Sequence, residues 1–168
     1  GALDKQLRDQ MQQEIRGLQR ELRMTTIFVT HDQTEAMAMS DRIAVVNGGL
    51  IEQIDTPVGL YERPATEFVA GFVGDSNLLR CEVLGAHEGI STVRLEGGAK
   101  VRAVGTQRLG GPALLLVRPE RIALATEAPD RYENVIEGRV VTRTYLGDVV
   151  VFTVACGPMT LTVRRGFG

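Results

Sequence analysis

Residues 25–46 read TTIFVTHDQTEAMAMSDRIAVV, and the fold turns on how the apolar run TTIFVT passes into the polar segment that begins at His31. Six β-branched and aromatic positions with no polar alternation are the pattern of a short, fully buried strand of a parallel sheet. Asp32 and Glu35 stand three apart, the D-x-x-E spacing of a capping box, so a short helix should open directly after the histidine. A polar side chain at the carboxyl end of a parallel strand faces the crevice where open α/β sheets bind ligands. His31 is thus either a ligand-facing donor or a residue that caps its own strand or the next helix, and spacing alone supports both.

Upstream, Leu3, Leu7, Met11, Ile15, Leu18 and Leu22 recur at steps of three and four, which predicts an amphipathic helix with Asp4 at its start. Downstream, Asn47-Gly48-Gly49 between RIAVVN and LIEQID predicts a β-hairpin. Thr56-Pro57 is an N-cap followed by proline in the first turn, opening a short helix that must stop before Pro64, and ATEFVAGFVG supplies a last helix ending at Gly74. Beyond Asp75 the texture changes to short β-type runs separated by Gly, Pro and Asp, the signature of a small barrel or sandwich. The boundary falls near 74–78, giving domains 1–74 and 75–168.

Composition narrows the function classes. At 168 residues the chain can bury a real core, and 43% hydrophobic with 24% charged residues and a net charge of −2 gives no support to general polyanion binding. Residues 1–74 carry 7 basic and 11 acidic side chains and residues 75–168 carry 12 and 10, an asymmetry that suggests two modules without a basic arm. Cys81 and Cys156 lie far apart with no C-x-x-C and no adjacent histidine, which indicates neither a zinc site nor a disulfide framework and fits a reducing compartment. No apolar run reaches the length of a membrane span. The β half offers Tyr132, Tyr145, Phe152 and Phe167 but no strongly basic groove, so nucleic acid is not expected as a partner.

GALDKQLR, the amphipathic helix, IFVTHDQTEAMAMSDRIAVVNGGLIEQIDTPVGLYERP and FVAGFVGDSNLL together closely resemble the second half of an ABC transporter ATPase subunit, of the bacterial importer group that serves maltose, iron and polyamines. VRPERI and YLGD in residues 75–168 resemble that group's C-terminal TOBE region, built from oligonucleotide-binding-fold-like β units. The resemblance implies an α+β chain: a partial P-loop NTPase α/β remnant followed by a β-rich, OB-like TOBE barrel, the barrel truncated at its C-terminus. It implies that Ala2, Leu3 and Asp4 belong to the D-loop at a dimer interface, and that His31 is the switch histidine contacting the γ-phosphate of ATP. In the intact protein it implies ATP and magnesium, a second copy of the chain, transmembrane permease subunits, and a cytoplasmic position on the inner face of the bacterial plasma membrane. FVAGFVGDSNLL looks closest to the polyamine-type, spermidine/putrescine branch.

The departures define the expected limits. Lys5 is followed by Gln and Lys100 by Val, so no lysine completes G-x-x-x-x-G-K-[ST], and the Q-loop, signature and Walker B segments are also missing. The expectation is an ATPase fragment that alone neither holds ATP tightly nor hydrolyses it. The alternative is a non-enzymatic, regulatory TOBE module binding a small ligand such as an anion. Met37 and Met39 read as ordinary packing residues, Arg118 and Glu120 of VRPE as structural, Asp148 as a turn residue, and His87 carries no role.

Overall fold

The computed structural model describes residues 5–105, 110–127 and 133–167. The chain divides into two compact units, Gly1–Gly74 and Asp75–Gly168. Among the described residues the chain is mostly β-sheet with a few helices, and no helix is long and apolar enough to cross a membrane.

The first unit begins with α1 (Lys5–Glu21) and α2 (Gln33–Met39), followed by the hairpin β1 (Ile43–Asn47) and β2 (Leu50–Asp55). The hairpin closes with Asn47 opposite Leu50, and both intervening glycines take positive φ, 56° at Gly48 and 81° at Gly49, as a two-residue primed turn requires. In α3 (Pro57–Glu62) the Thr56 hydroxyl accepts the Gly59 N–H at 3.1 Å, and in α4 (Glu67–Phe72) the Thr66 hydroxyl accepts the Val69 N–H at 3.2 Å. The α3–α4 connection is held by one side chain: Gln53 Nε2 donates to the Arg63 carbonyl at 3.0 Å while its Oε1 accepts the Ala65 N–H at 2.7 Å. Val45, Leu60, Val69 and Val73 form the small core of this unit.

The strand expected over TTIFVT does not form. Residues 24–30 belong to no sheet among the described residues, and Ile27 and Val29 are each 90% exposed. A parallel strand is made by its neighbours, which take up its N–H and C=O groups and bury both faces. The one sheet of this unit is the antiparallel β1–β2 hairpin, and it pairs only with itself. The apolar stripe of α1 is likewise half-open, with Ile15 50% and Leu18 58% exposed. The beginning of the predicted helix, Asp4 included, lies outside the described residues.

The second unit contains β3 (Asn77–His87), β4 (Ile90–Leu95), β5 (Lys100–Val104) and β6 (Pro112–Val117), arranged as an antiparallel sheet in the order β5-β4-β3-β6. A 3-10 turn at Pro119–Arg121 precedes a second antiparallel sheet, β7 (Arg139–Tyr145), β8 (Val149–Cys156) and β9 (Met159–Gly166), in sequential order. Strand alternation works as the pattern dictates: β3 buries Leu79, Cys81 and Val83, β9 buries Met159, Leu161 and Val163, and both sets enter one core with Val93, Leu95, Val101 and Val154. Two segments read as β-type are shorter or absent as strands: IALA follows the 3-10 turn without pairing, and VIEGRVVTRTYL is a strand only from Arg139.

No backbone ladder joins the two sheets among the described residues. A side chain supplies the link. The Asn77 carboxamide, 6% exposed, donates from Nδ2 to the Val117 carbonyl at 3.2 Å and to the Thr162 carbonyl at 2.8 Å, and its Oδ1 accepts the Thr162 N–H at 2.7 Å. One amide thereby presents to β9 the donor and acceptor that a neighbouring strand would have offered. Arg118, 5% exposed, reaches back from the end of β6, donating from Nη1 to the Ser76 hydroxyl and to the Asp75 carbonyl. A third closure is polar on both sides: Asn134 accepts the Arg102 N–H at 2.7 Å and donates to the Arg102 carbonyl at 2.8 Å.

Candidate functional site

His31 is exposed, at the apex of a tight turn immediately before α2. The expected strand beneath it is absent, so no sheet holds it among the described residues; hydrogen bonds between its two neighbours and the first turn of α2 do so instead. The Thr30 hydroxyl accepts the Asp32 N–H at 2.9 Å and donates to Glu35 Oε2 at 2.8 Å. Asp32 is the N-cap, its Oδ1 accepting the Thr34 N–H at 2.8 Å and the Glu35 N–H at 3.2 Å. The D-x-x-E spacing thus forms half of a capping box. The reciprocal bond that would run from the Asp32 N–H to the Glu35 carboxylate is relayed through the Thr30 hydroxyl.

The turn opens on a cavity of about 430 Å³ between α1, residues 28–32 and α2. Met11 and Ile15 of α1, Phe28 and Met39 line its apolar part, and Thr30, His31, Asp32 and Glu35 its polar part. The half-buried Met37 and the cavity-lining Met39 occupy helix-packing positions. Arg16 fastens α1 to the far end of α2, donating to the Ala38 carbonyl and to Asp41 Oδ1 at 3.3 Å. That ion pair is solvent-facing at Asp41, whose side chain is 77% exposed, so the pair contributes at most about 1 kcal/mol. Chemically, the site offers one imidazole on a turn of fixed backbone, able to donate a hydrogen bond to an anionic oxygen. Ala2, Leu3 and Asp4, the other site residues expected from the sequence, lie outside the described residues.

Cys81 and Cys156 are buried in the core of the second unit, where desolvation raises both thiols above their ordinary range; at Cys81 a backbone hydrogen bond from Leu115 partly opposes that rise. A shallow cavity of about 330 Å³ on that unit is lined by Arg80, Arg94, Glu82 and Glu96, with Arg94 paired to Glu82. Asp148 follows Gly147, whose φ is 84°, in the turn between β7 and β8. His87 is exposed, 3.9 Å from the Glu88 carboxylate. No group of three or more His, Cys, Asp or Glu side chains could hold a metal ion among the described residues.

Residues 115–165, which run from the end of β6 through the second sheet, match the TOBE domain. The match includes the buried Arg118 and runs through all three strands of that sheet, so the second unit carries a TOBE domain. Comparison over the whole length goes further. The chain is 45% identical to the spermidine/putrescine import ATP-binding protein PotA of Frankia alni, over 92% of this chain and 36% of the relative. It is 44% identical to the PotA of Thermobifida fusca, over 92% of this chain and 40% of the relative. It is 41% identical to the ferric-ion import ATP-binding protein FbpC of Rhizobium etli, over 96% of this chain and 44% of the relative. The chain is thus similar to import ATP-binding proteins along nine-tenths of its own length, and it spans about two-fifths of the length of these relatives.

Proposed function

We propose that the chain is part of the ATP-hydrolysing subunit that energises an ABC importer, with a spermidine/putrescine-type solute as cargo. The observation that carries this is the presentation of His31: an exposed imidazole on a hydrogen-bonded turn, in a chain whose relatives are import ATP-binding proteins along nine-tenths of its length. The first unit is then the latter part of a P-loop nucleotide-binding domain, and residues 1–74 and 75–168 are its nucleotide-binding and regulatory TOBE portions. ATP is the substrate. Phosphoryl transfer is accelerated mainly by positioned donors that stabilise charge on the γ-phosphoryl oxygens, and one such donor is worth roughly 3 kcal/mol. His31 is that donor, and it needs no net charge for the task. Ala2, Leu3 and Asp4 form the D-loop facing a second copy of the subunit.

Magnesium accompanies the nucleotide in this reading. The partners are a second copy and the transmembrane permease, which places the subunit in the cytoplasm, peripherally on the inner face of the plasma membrane. A small anion on the second unit is not part of the proposal, because the arginines of its shallow cavity face as many glutamates. The test is His31→Ala in a subunit that carries this chain together with the P-loop and signature segments. The expected result is a loss of ATP turnover of about 100-fold, with nucleotide affinity within about twofold of the parent. Unchanged turnover would overturn the assignment of His31. The chain by itself is expected to show no ATPase activity.

A further inference from the structure

We infer that Asn47 is a site of spontaneous covalent modification: the Gly48 nitrogen closes on the side-chain carboxamide and converts the asparagine to aspartate and isoaspartate, which loosens the β1–β2 hairpin. The chemistry is that of the turn itself and does not depend on the role proposed for His31. In the first step the Gly48 N–H gives its proton to hydroxide, and the nitrogen's electron pair forms a bond to Asn47 Cγ. The Cγ–Nδ2 bond breaks, and Nδ2 takes a proton from water and leaves as ammonia. Water then opens the five-membered succinimide. Cleavage of the new Cγ–N bond gives aspartate, and cleavage of the original backbone C–N bond leaves the chain running through Cγ as isoaspartate.

The structure separates Asn47 from the other two asparagines of the chain, Asn77 and Asn134. Asn77 is 6% exposed, its carboxamide makes three hydrogen bonds, and the side chain of Leu78 follows it. The Asn134 carboxamide bonds both backbone groups of Arg102, and the next residue is the β-branched Val135, whose Cβ crowds its own nitrogen. Asn47 is exposed and is followed by two glycines. A Cβ built at either Gly48 or Gly49 would meet nothing within 4 Å, so the attacking nitrogen is open on every side. The Gly48 N–H donates no hydrogen bond among the described residues, which leaves it free to lose its proton. One bond restrains the carboxamide: Asn47 Nδ2 donates to Glu52 Oε1 at 3.1 Å, and it must break as Nδ2 departs.

The products act on the hairpin in two ways. It closes with Asn47 opposite Leu50 over two glycines at positive φ. Isoaspartate adds a methylene to the backbone at that closing position, and a two-residue primed turn no longer matches the strands it joins. Aspartate keeps the backbone length but sets a second carboxylate where the amide had donated to Glu52, so like charges face each other across the hairpin. The register at stake is the one that places Val45, two residues before Asn47, in the core of the first unit.

The test is incubation of the whole chain at mildly alkaline pH, with and without urea, followed by peptide mapping by mass and by enzymatic methylation of isoaspartyl groups. The expected result is isoaspartate and aspartate at position 47 of the folded chain, formed at a rate proportional to hydroxide, with Asn77 and Asn134 intact over the same time. Glu52→Ala, which frees the carboxamide, should quicken the reaction about twofold or more. Asn47→Gln, whose longer side chain would have to close a six-membered ring, should abolish it. In the modified chain, amide exchange at Val46 and Ile51 should accelerate about tenfold or more. A folded chain that keeps Asn47 while the urea-unfolded chain loses it would overturn the inference, because the turn would then be protective. Asn47 retained in both would overturn it equally. Loss at Asn77 or Asn134 as fast as at Asn47 would refute selection by the structure, and unchanged exchange in the modified chain would refute the loosening of the hairpin.

Discussion

Replacing Asn77 with alanine should be the most damaging single polar substitution in the second unit. The carboxamide makes three hydrogen bonds, at 2.7, 2.8 and 3.2 Å, to backbone groups of two strands, and the residue is 6% exposed. Each bond contributes about 1 kcal/mol net, and a backbone donor or acceptor stranded away from water costs about 1–3 kcal/mol. Thr162 is half-buried rather than fully enclosed, so water would reach one of its two groups after truncation. The sum comes to about 2–4 kcal/mol. For a unit of this size that lowers the melting temperature by roughly 10 °C or more. The assay is urea unfolding of the whole chain, followed by the β-sheet circular dichroism band and by amide exchange at Thr162. The expected outcome is a lower midpoint at an unchanged slope, with exchange at Thr162 accelerated more than at the neighbouring β9 amides. Asn77→Asp should be at least as damaging at neutral pH, because it keeps the acceptor for the Thr162 N–H but loses both donated bonds and sets a buried charge against the Val117 and Thr162 carbonyl oxygens. A destabilisation below about 0.5 kcal/mol in Asn77→Ala, with Thr162 still protected, would refute the idea that this side chain joins the sheets.

Other substitutions test the packing from opposite directions. A Cβ at Gly138 would lie 2.6 Å from Cys156 Sγ and 2.7 Å from Val154 Cγ1, so Gly138→Ala should cost about 1–3 kcal/mol in denaturant titration. Gly17, inside α1 with nothing within 4 Å of its added Cβ, should tolerate alanine with a gain of about 0.5–1 kcal/mol in helix stability, read as increased helical ellipticity. The buried thiols of Cys81 and Cys156 should react with a maleimide only as fast as the unit opens. Their raised pKa means that the unfolded chain ionises first, so their contribution to stability is complete at neutral pH and is lost as pH rises above about 8.5, measurable as a falling urea midpoint.

Local chemistry was legible in the sequence, and long-range chemistry was not. The Asn47-Gly48-Gly49 turn and the Thr56-Pro57 cap depend on residues no more than a few positions apart, and the structure forms both where the sequence places them. TTIFVT misled because burial in a parallel sheet is a property of neighbours, and the residues that would supply them are not among those described in the first unit. Asn77 was illegible as a sheet-joining group, and Arg118 as a tie to the start of β3, for the same reason: Asn77 and its Thr162 partner lie 85 residues apart, and Arg118 reaches Asp75 across 43. Around His31 the failure was of another kind. Asp32 and Glu35 were visible as a capping pair, but the T-H-D triplet also carries the signature of a Thr turn, hydroxyl to the N–H two residues on, and that local signal would have disclosed the relay.

The two units also differ in what makes them definite, which bears on how the site can work. The second unit has one contiguous core fed by both sheets, so its geometry is set by volume and by the complementarity of many side chains. The core of the first unit is four buried residues drawn from β1, α3, α4 and the end of α4, and neither α1 nor the turn at His31 contributes to it. Among the described residues the backbone on either side of His31 is therefore tied by directional hydrogen bonds, through Thr30 and Asp32 to the start of α2, rather than by this core.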